Sequence, residues 1–359
     1  MNKRLEVLDS LRGVFCLLII FEHYSPFYIP DDVYKFPLVR HSYIVVDFFF
    51  VLSGFIITLK YQSFLNNFKN LWIFYKKRVF RLYPLLFITS TTVLVFEFFS
   101  NIYFRSFKNN PDSSIELFYR FLNDVLLINS TKILGDRAMN IPSWSISAEF
   151  FCYLIFGIIF LFFCFKKIMK YQVILFIITF SLLVISLYYD SFFSTYRLGF
   201  LRGLYSFFWG VLFSFTYSSR IKINSLIQVP LLILFFISFF LMSTESQITI
   251  KLLGVILPIF FGTIIIVLLK SSGVFTYILE LSFLKKIGAI SFSIYLNHFL
   301  IVLVIPRIIF DFLKVPNNTI FQIMVFIFYP LIVILISKYT NMYIEIKLNN
   351  YLRKKFNAY

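Results

Sequence analysis

The chain has 359 residues, of which 60% are hydrophobic and 22% aromatic, and its formal net charge is +17. With a mean hydropathy of +0.84, it carries more apolar surface than a soluble fold can hide, so lipid is its solvent and a soluble catalytic domain is excluded. The basic residues fall mostly in short connections between apolar runs. There they read as a topology signal and as attraction to anionic lipid or an anionic substrate, with no nucleic-acid partner implied.

A membrane-crossing helix needs about 20 mostly apolar residues. In chain order the candidate runs are 8–25, 44–60, 83–100, 143–165, 172–189, 200–217, 225–242, 252–269, 288–309 and 319–337. They lack the ten-residue alternation of a barrel, and helices satisfy their own backbone in hydrocarbon. The expected fold is therefore an all-α polytopic membrane protein of about ten transmembrane helices, one domain over residues 1–359, with no appended soluble domain and no cleavable leader. Placing the N-terminus in the cytoplasm puts the larger share of Lys and Arg inside, in clusters at 69–81, 166–170, 220–222, 285–286 and 353–355. Both termini are then cytoplasmic. The longest connection, 101–142, lies on the outer side, and a short amphipathic interfacial helix is expected over 114–127. Cys16, Cys152 and Cys164 sit in apolar runs without ligand spacing, so neither a disulfide nor a metal site is expected.

Ionisable residues inside spans are costly and point to function. Arg12 and His23 lie 11 residues apart in the first run, which places them on one helix face about 16 Å apart along the axis. Asp9, three residues before Arg12, shares that face. Asp47 opens the second run and Glu149 lies in the first turns of the fourth, both entering from the same side as the end that carries His23. A histidine with two carboxylates at one depth suits proton transfer. At the opposite side, Arg78 and Arg81 in YKKRVFRLYP point the same way on a helix and can clamp phosphate. Glu22 carries little weight in this reading. Ser145 and Glu149 are spaced as a hydrogen-bonded pair, Trp144 sits at a span boundary, Ser53-Gly54 forms a small-residue notch, and His41 falls in an outer loop where solvation is expected.

The segments LDSLRG, VDFFFVLSGFIIT (46–58), KKRVFRLYP, PSWSISAEFFCYL (142–154) and ISFSIYLNHF (290–299) together resemble the signature stretches of the acyltransferase family 3 membrane proteins, in order over most of the chain. The resemblance implies a membrane O-acyltransferase that moves an acetyl or other short acyl group from acetyl-CoA (acyl-CoA) to a hydroxyl of a surface or exported glycan. O-antigen, capsule and exopolysaccharide are acceptor classes of that family. It implies a multi-pass protein of the bacterial cytoplasmic membrane, with acyl-CoA, a glycan or lipid-linked glycan and the bilayer as partners. Carried over by position, His23 is the essential histidine, Asp47 and Glu149 are the acidic catalytic positions, and Arg12, Arg78 and Arg81 are the basic positions assigned to the donor. Ser53, Trp144, Ser145 and His298 are substrate contacts or structural support.

On this reading His23 acts as general base on a sugar hydroxyl with a carboxylate holding its tautomer, or it carries the acyl group itself. The sequence leaves both open, together with the oligomeric state and the identity of the acceptor. The rival reading is a transporter or flippase of a lipid-linked glycan, which calls for an inverted repeat and broken helices. A third, an acyltransferase built on an Asn/His pair, would use Asn297 and His298.

Overall fold

The computed structural model describes residues 3–24, 28–103, 113–135, 137–162, 167–188, 192–217 and 222–356. Cys164, part of the 101–142 connection and parts of the basic clusters at 166–170 and 220–222 lie outside the described residues. Within them every regular element is a helix. The principal helices are α1 (Lys3–Glu22), α2 (Val46–Tyr61), α3 (Phe68–Tyr103), α4 (Ser114–Val125), α5 (Ser143–Phe162), α6 (Lys167–Tyr188), α7 (Gly199–Thr216), α8 (Gln228–Met242), α9 (Gln247–Lys270), α10 (Ser282–Ala289), α11 (Ser291–Pro306), α12 (Thr319–Thr340) and α13 (Asn349–Lys355). Short helical turns, such as Asp31–Lys35 and Pro37–Arg40, fill some of the connections.

Among the described residues, eight helices are long and apolar enough to cross a membrane. The expected runs at 8–25 and 200–217 are also helices, α1 and α7, but they differ from the other eight. Glu6, Asp9, Arg12 and Glu22 interrupt α1, and Arg202 with several Gly and Ser residues interrupts α7. Arg202 is buried by the neighbouring helices, whereas Glu6, Asp9 and Arg12 are partly exposed and offset their charge by pairing, Glu6 with Lys285 and Asp9 with Arg12. The basic segment at 69–81 does not form a separate loop. It is the first part of α3, a single 36-residue helix that continues through Pro84.

The tightest crossing is α2 on α7. A Cβ added at Gly54 would lie 2.0 Å from the Phe207 carbonyl oxygen, and one added at Gly210 would lie 1.9 Å from that of Val51. Glycine is needed on both sides because the backbones themselves touch, which is how membrane helices pack without a hydrophobic drive between them. This crossing brings Asp47 on α2 against Arg202 and Ser206 on α7. Between the spans, α4 begins with a capping box in which Ser113 and Glu116 satisfy each other's backbone N–H groups.

The segment after α4 is held by one buried carboxylate. Asp124 accepts hydrogen bonds from Ser90, Asn129 and Ser143 side chains and from the backbone N–H groups of Met139 and Asn140, at 2.7 to 3.2 Å. Burial nonetheless pushes its carboxyl above the usual range, against the opposing pull of those donors. The effect is to tie the turn before α5 to α3, and so to set where α5 enters the bundle.

Candidate active site

His23 is the first residue past α1, and its ring points into the bundle. Its Nδ1 lies 3.1 Å from the Ile19 carbonyl oxygen and 3.3 Å from Nε2 of His298 on α11. The two rings meet edge to face with centroids 4.8 Å apart, and Phe299 stands edge-on to His23 at 6.2 Å. A carbonyl only accepts, so the Ile19 contact requires the proton on Nδ1 of His23. That same N–H faces the lone pair of His298 Nε2. The assignment leaves His23 Nε2 unprotonated, and this atom makes no hydrogen bond among the described residues. His298 is fully buried, and Tyr329 donates a hydrogen bond to its backbone carbonyl, which fixes this turn of α11 against α12.

The carboxylates expected beside His23 have other partners. Asp47 is buried against Arg202, whose Nη2 lies 2.8 Å from Oδ2 and whose Nε lies 3.2 Å from both oxygens. Ser206 donates to Oδ1 at 2.8 Å. Arg202 also donates to the carbonyls of Tyr43 and Phe193, and its guanidinium packs between the rings of Trp144 and Phe193 at 5.2 and 4.9 Å. Trp144 therefore covers a buried ion pair and is not an exposed interfacial anchor. An unpaired Asp47 this deep would be costly, so the arginine on α7 decides which way it faces. Arg202 is a residue of the candidate site that the sequence reading passed over. Its signal was present, since it is a lone charge inside the apolar run 200–217.

Glu149 accepts from Ser53 Oγ at 2.6 Å and from the Tyr153 hydroxyl, and Ser53 and Tyr153 are themselves 2.9 Å apart. The Tyr153 ring packs under the Arg78 guanidinium at 5.5 Å. Glu149 is thus linked toward Arg78 and makes no hydrogen bond to His23. The expected Ser145–Glu149 pair is absent. Ser145 instead donates to the Tyr295 hydroxyl at 2.8 Å, because Tyr295 on α11 is itself bonded to the Pro142 carbonyl at the start of α5. The Tyr295 ring lies 5.7 Å from that of His298, so Ser145 supports the histidine pair through a neighbour. Gly54 of the Ser53-Gly54 pair is the packing contact, whereas Ser53 is a polar partner of Glu149.

Arg12 forms an ion pair with Asp9 at 3.0 Å, one turn away on the same face. Arg78 is buried, donates to the Tyr61 hydroxyl at 2.9 Å, and keeps an unpartnered Nε. Arg81 stacks over Phe292 at 5.6 Å. Asn297 donates to Thr340 and Ser293 at 2.8 Å, so it is turned away from His298 and into α12. His41 is buried rather than solvated, with both ring nitrogens unpartnered, and burial followed by the neighbouring Arg40 lowers its imidazole below the usual range. Glu22 makes no hydrogen bond or ion pair among the described residues, and it lies within electrostatic reach of Arg202 and of the phenols of Tyr43, Tyr196 and Tyr295.

The arrangement holds an imidazole at one end of α1 and a set of arginines toward the other end of the bundle, with a polar chain running from Arg78 through Tyr153 to Glu149 and Ser53. Against known proteins, residues 5–338 match a family model described as an acyltransferase domain. No curated protein and no solved structure matches the chain.

Proposed function

From the premise that this chain belongs to acyltransferase family 3, we propose that it is an O-acyltransferase whose donor is a cytoplasmic acyl-CoA, with acetyl as the acyl group, and whose acceptor is a hydroxyl of a surface or exported glycan. The chain is a multi-pass membrane acyltransferase; the donor, the acceptor, placement in a bacterial inner membrane with both termini cytoplasmic, and the residue roles are the reading offered here. The observation that carries it is the contact of His23 Nδ1 with the Ile19 carbonyl at 3.1 Å, which assigns the proton to Nδ1 and leaves Nε2 as the free base.

In this mechanism Arg78 and Arg81 hold the phosphates of the donor by charge-assisted hydrogen bonds. Bound there, acyl-CoA supplies an activated thioester carbonyl. His23 Nε2 takes the proton from the attacking hydroxyl as the new C–O bond forms, and it returns that proton to the departing thiolate as the C–S bond breaks. His298 accepts from Nδ1–H and so stabilises the imidazolium in place of the carboxylate expected from sequence. Asp47 and Arg202 set the position of α2 against α7, and Glu149 with Ser53 and Tyr153 orders the polar groups beside Arg78. Arg12 joins the donor end through its pair with Asp9.

The test is acyl transfer by purified protein in nanodiscs, supplied with radiolabelled acetyl-CoA, together with NMR of surface glycan from a strain lacking the gene. His23→Ala is expected to lower turnover by about 100- to 10,000-fold, the range of a lost general base, with insertion unchanged. Unaltered turnover in that variant, or intact glycan O-acetyl groups in the deletion strain, overturns the proposal.

A further inference from the structure

After α12 the chain does not end in a free tail. A π-helical stretch, Asn341–Leu348, continues the helix without a break into α13 (Asn349–Lys355), which packs along the basic part of α3. Lys76 Nζ donates to the Phe356 carbonyl at 3.3 Å, and the Phe80 and Phe356 rings meet with centroids 5.6 Å apart. This docking carries Arg353 to Arg78 and Arg81, near enough for their charges to repel, with Tyr61 as the favourable neighbour.

Three guanidinium groups in one partly buried place are unfavourable unless an anion joins them. Among the described residues no carboxylate pairs with any of the three; the ion pairs found use other groups. The Nε atoms of Arg78 and Arg353 are both buried without a hydrogen-bond partner, and Arg78 is only 9% exposed. Unmet guanidinium donors matched to planar, multiply charged oxyanions describe a phosphate site. Arg353 lies beyond the residues matched to the family, so nothing in that match assigns it a role.

We propose that Arg353 is a third arm of the phosphate site formed with Arg78 and Arg81, so that the C-terminal helix closes over the nucleotide end of acyl-CoA. The inference rests on the reading of Arg78 and Arg81 as donor ligands. A headgroup of an anionic lipid offers the same phosphate chemistry, so the test separates the two sources. CoA binding is measured by calorimetry on the full chain in nanodiscs of neutral phosphatidylcholine, and again with phosphatidylglycerol added.

In neutral discs Arg353→Gln is expected to weaken CoA about 10- to 100-fold, as loss of one charge-assisted pair does, with Arg78→Gln weakening it similarly. Arg353→Lys keeps the charge but loses the planar fork, and is expected to weaken CoA about 3- to 10-fold. Should Arg353→Gln not fold, the lysine variant decides, and wild-type affinity there overturns the proposal. Loss in Arg78→Gln with full affinity in Arg353→Gln overturns the third arm alone. Full affinity in both removes the donor site as well. If Arg353→Gln loses bound phosphatidylglycerol yet retains CoA affinity in neutral discs, the cluster holds lipid and the proposal fails.

Discussion

Replacing Arg202 by Met is the sharpest test of how this bundle is held. Asp47 and Arg202 are 0% and 1% exposed, and the substitution leaves the carboxylate with Ser206 as its remaining donor among the partners described. It also removes the hydrogen bonds from Arg202 to the carbonyls of Tyr43 and Phe193 and the cation packed against the rings of Trp144 and Phe193. Removing one partner of a buried pair costs about 3–5 kcal/mol, mostly as the penalty of the charge left behind. Interhelical polar contacts in membranes usually measure less, about 1–2 kcal/mol, because the unfolded chain in lipid also finds partners. Here several donors converge on one fully buried carboxylate, so the larger figure is expected. Asp47→Asn with Arg202→Met removes both charges and is expected to recover about 2–3 kcal/mol of the single-variant loss. Unfolding in mixed micelles, followed by circular dichroism for the wild type, both single variants and the double variant, gives the coupling directly. A single Arg202→Met variant within about 0.5 kcal/mol of wild type, or a double variant showing simple additivity, refutes the argument that this ion pair locks α2 to α7.

Two further results are expected. His298→Ala should lower turnover by about 10- to 100-fold while leaving the affinity for CoA unchanged, because it removes the acceptor for His23 Nδ1–H and not a donor contact; this follows if a positioned acid or base is worth about 100-fold or more and its support a fraction of that. Equal loss in CoA binding would place His298 elsewhere in the mechanism. His41 has a lowered folded-state pKa, with burial the first cause and Arg40 the second. The unfolded imidazole, at about 6.5, takes up protons that the folded one refuses. Its contribution is present above pH about 6.5 and is lost as pH falls below it, so the melting temperature should drop between pH 7.5 and 5.5 and drop less in His41→Gln. The same pH dependence in both proteins would remove His41 as its cause.

Much of the architecture was readable without coordinates because lipid permits so few backbones. Apolar runs of spanning length had to be helices, and the capping pair Ser113 and Glu116 begins a helix at Ser114, where the amphipathic pattern suggested one. Candidate site residues were legible in two ways: His23, Asp47 and Glu149 as charges in the wrong solvent, and Arg78 and Arg81 as a basic pair at helical spacing. Arg202 carried the same signal and was missed because the run around it was read only as a span. The partners were not legible. His23 and His298 are 275 positions apart, Asp47 and Arg202 are 155 apart, and hydropathy says nothing about which helices adjoin.

What the sequence determined alone is the solvent, the helical class and the set of polar groups that the membrane would force into pairs. Which group pairs with which was decided in three dimensions. The glycine-mediated contact of α2 with α7 gives Asp47 to Arg202, and that frees the histidine on α1 to meet a second imidazole on α11. The packing of α13 along α3 likewise turns Arg353 into a neighbour of Arg78. A buried charge must find a partner, and only the packing of backbones settles which one is within a hydrogen bond's reach.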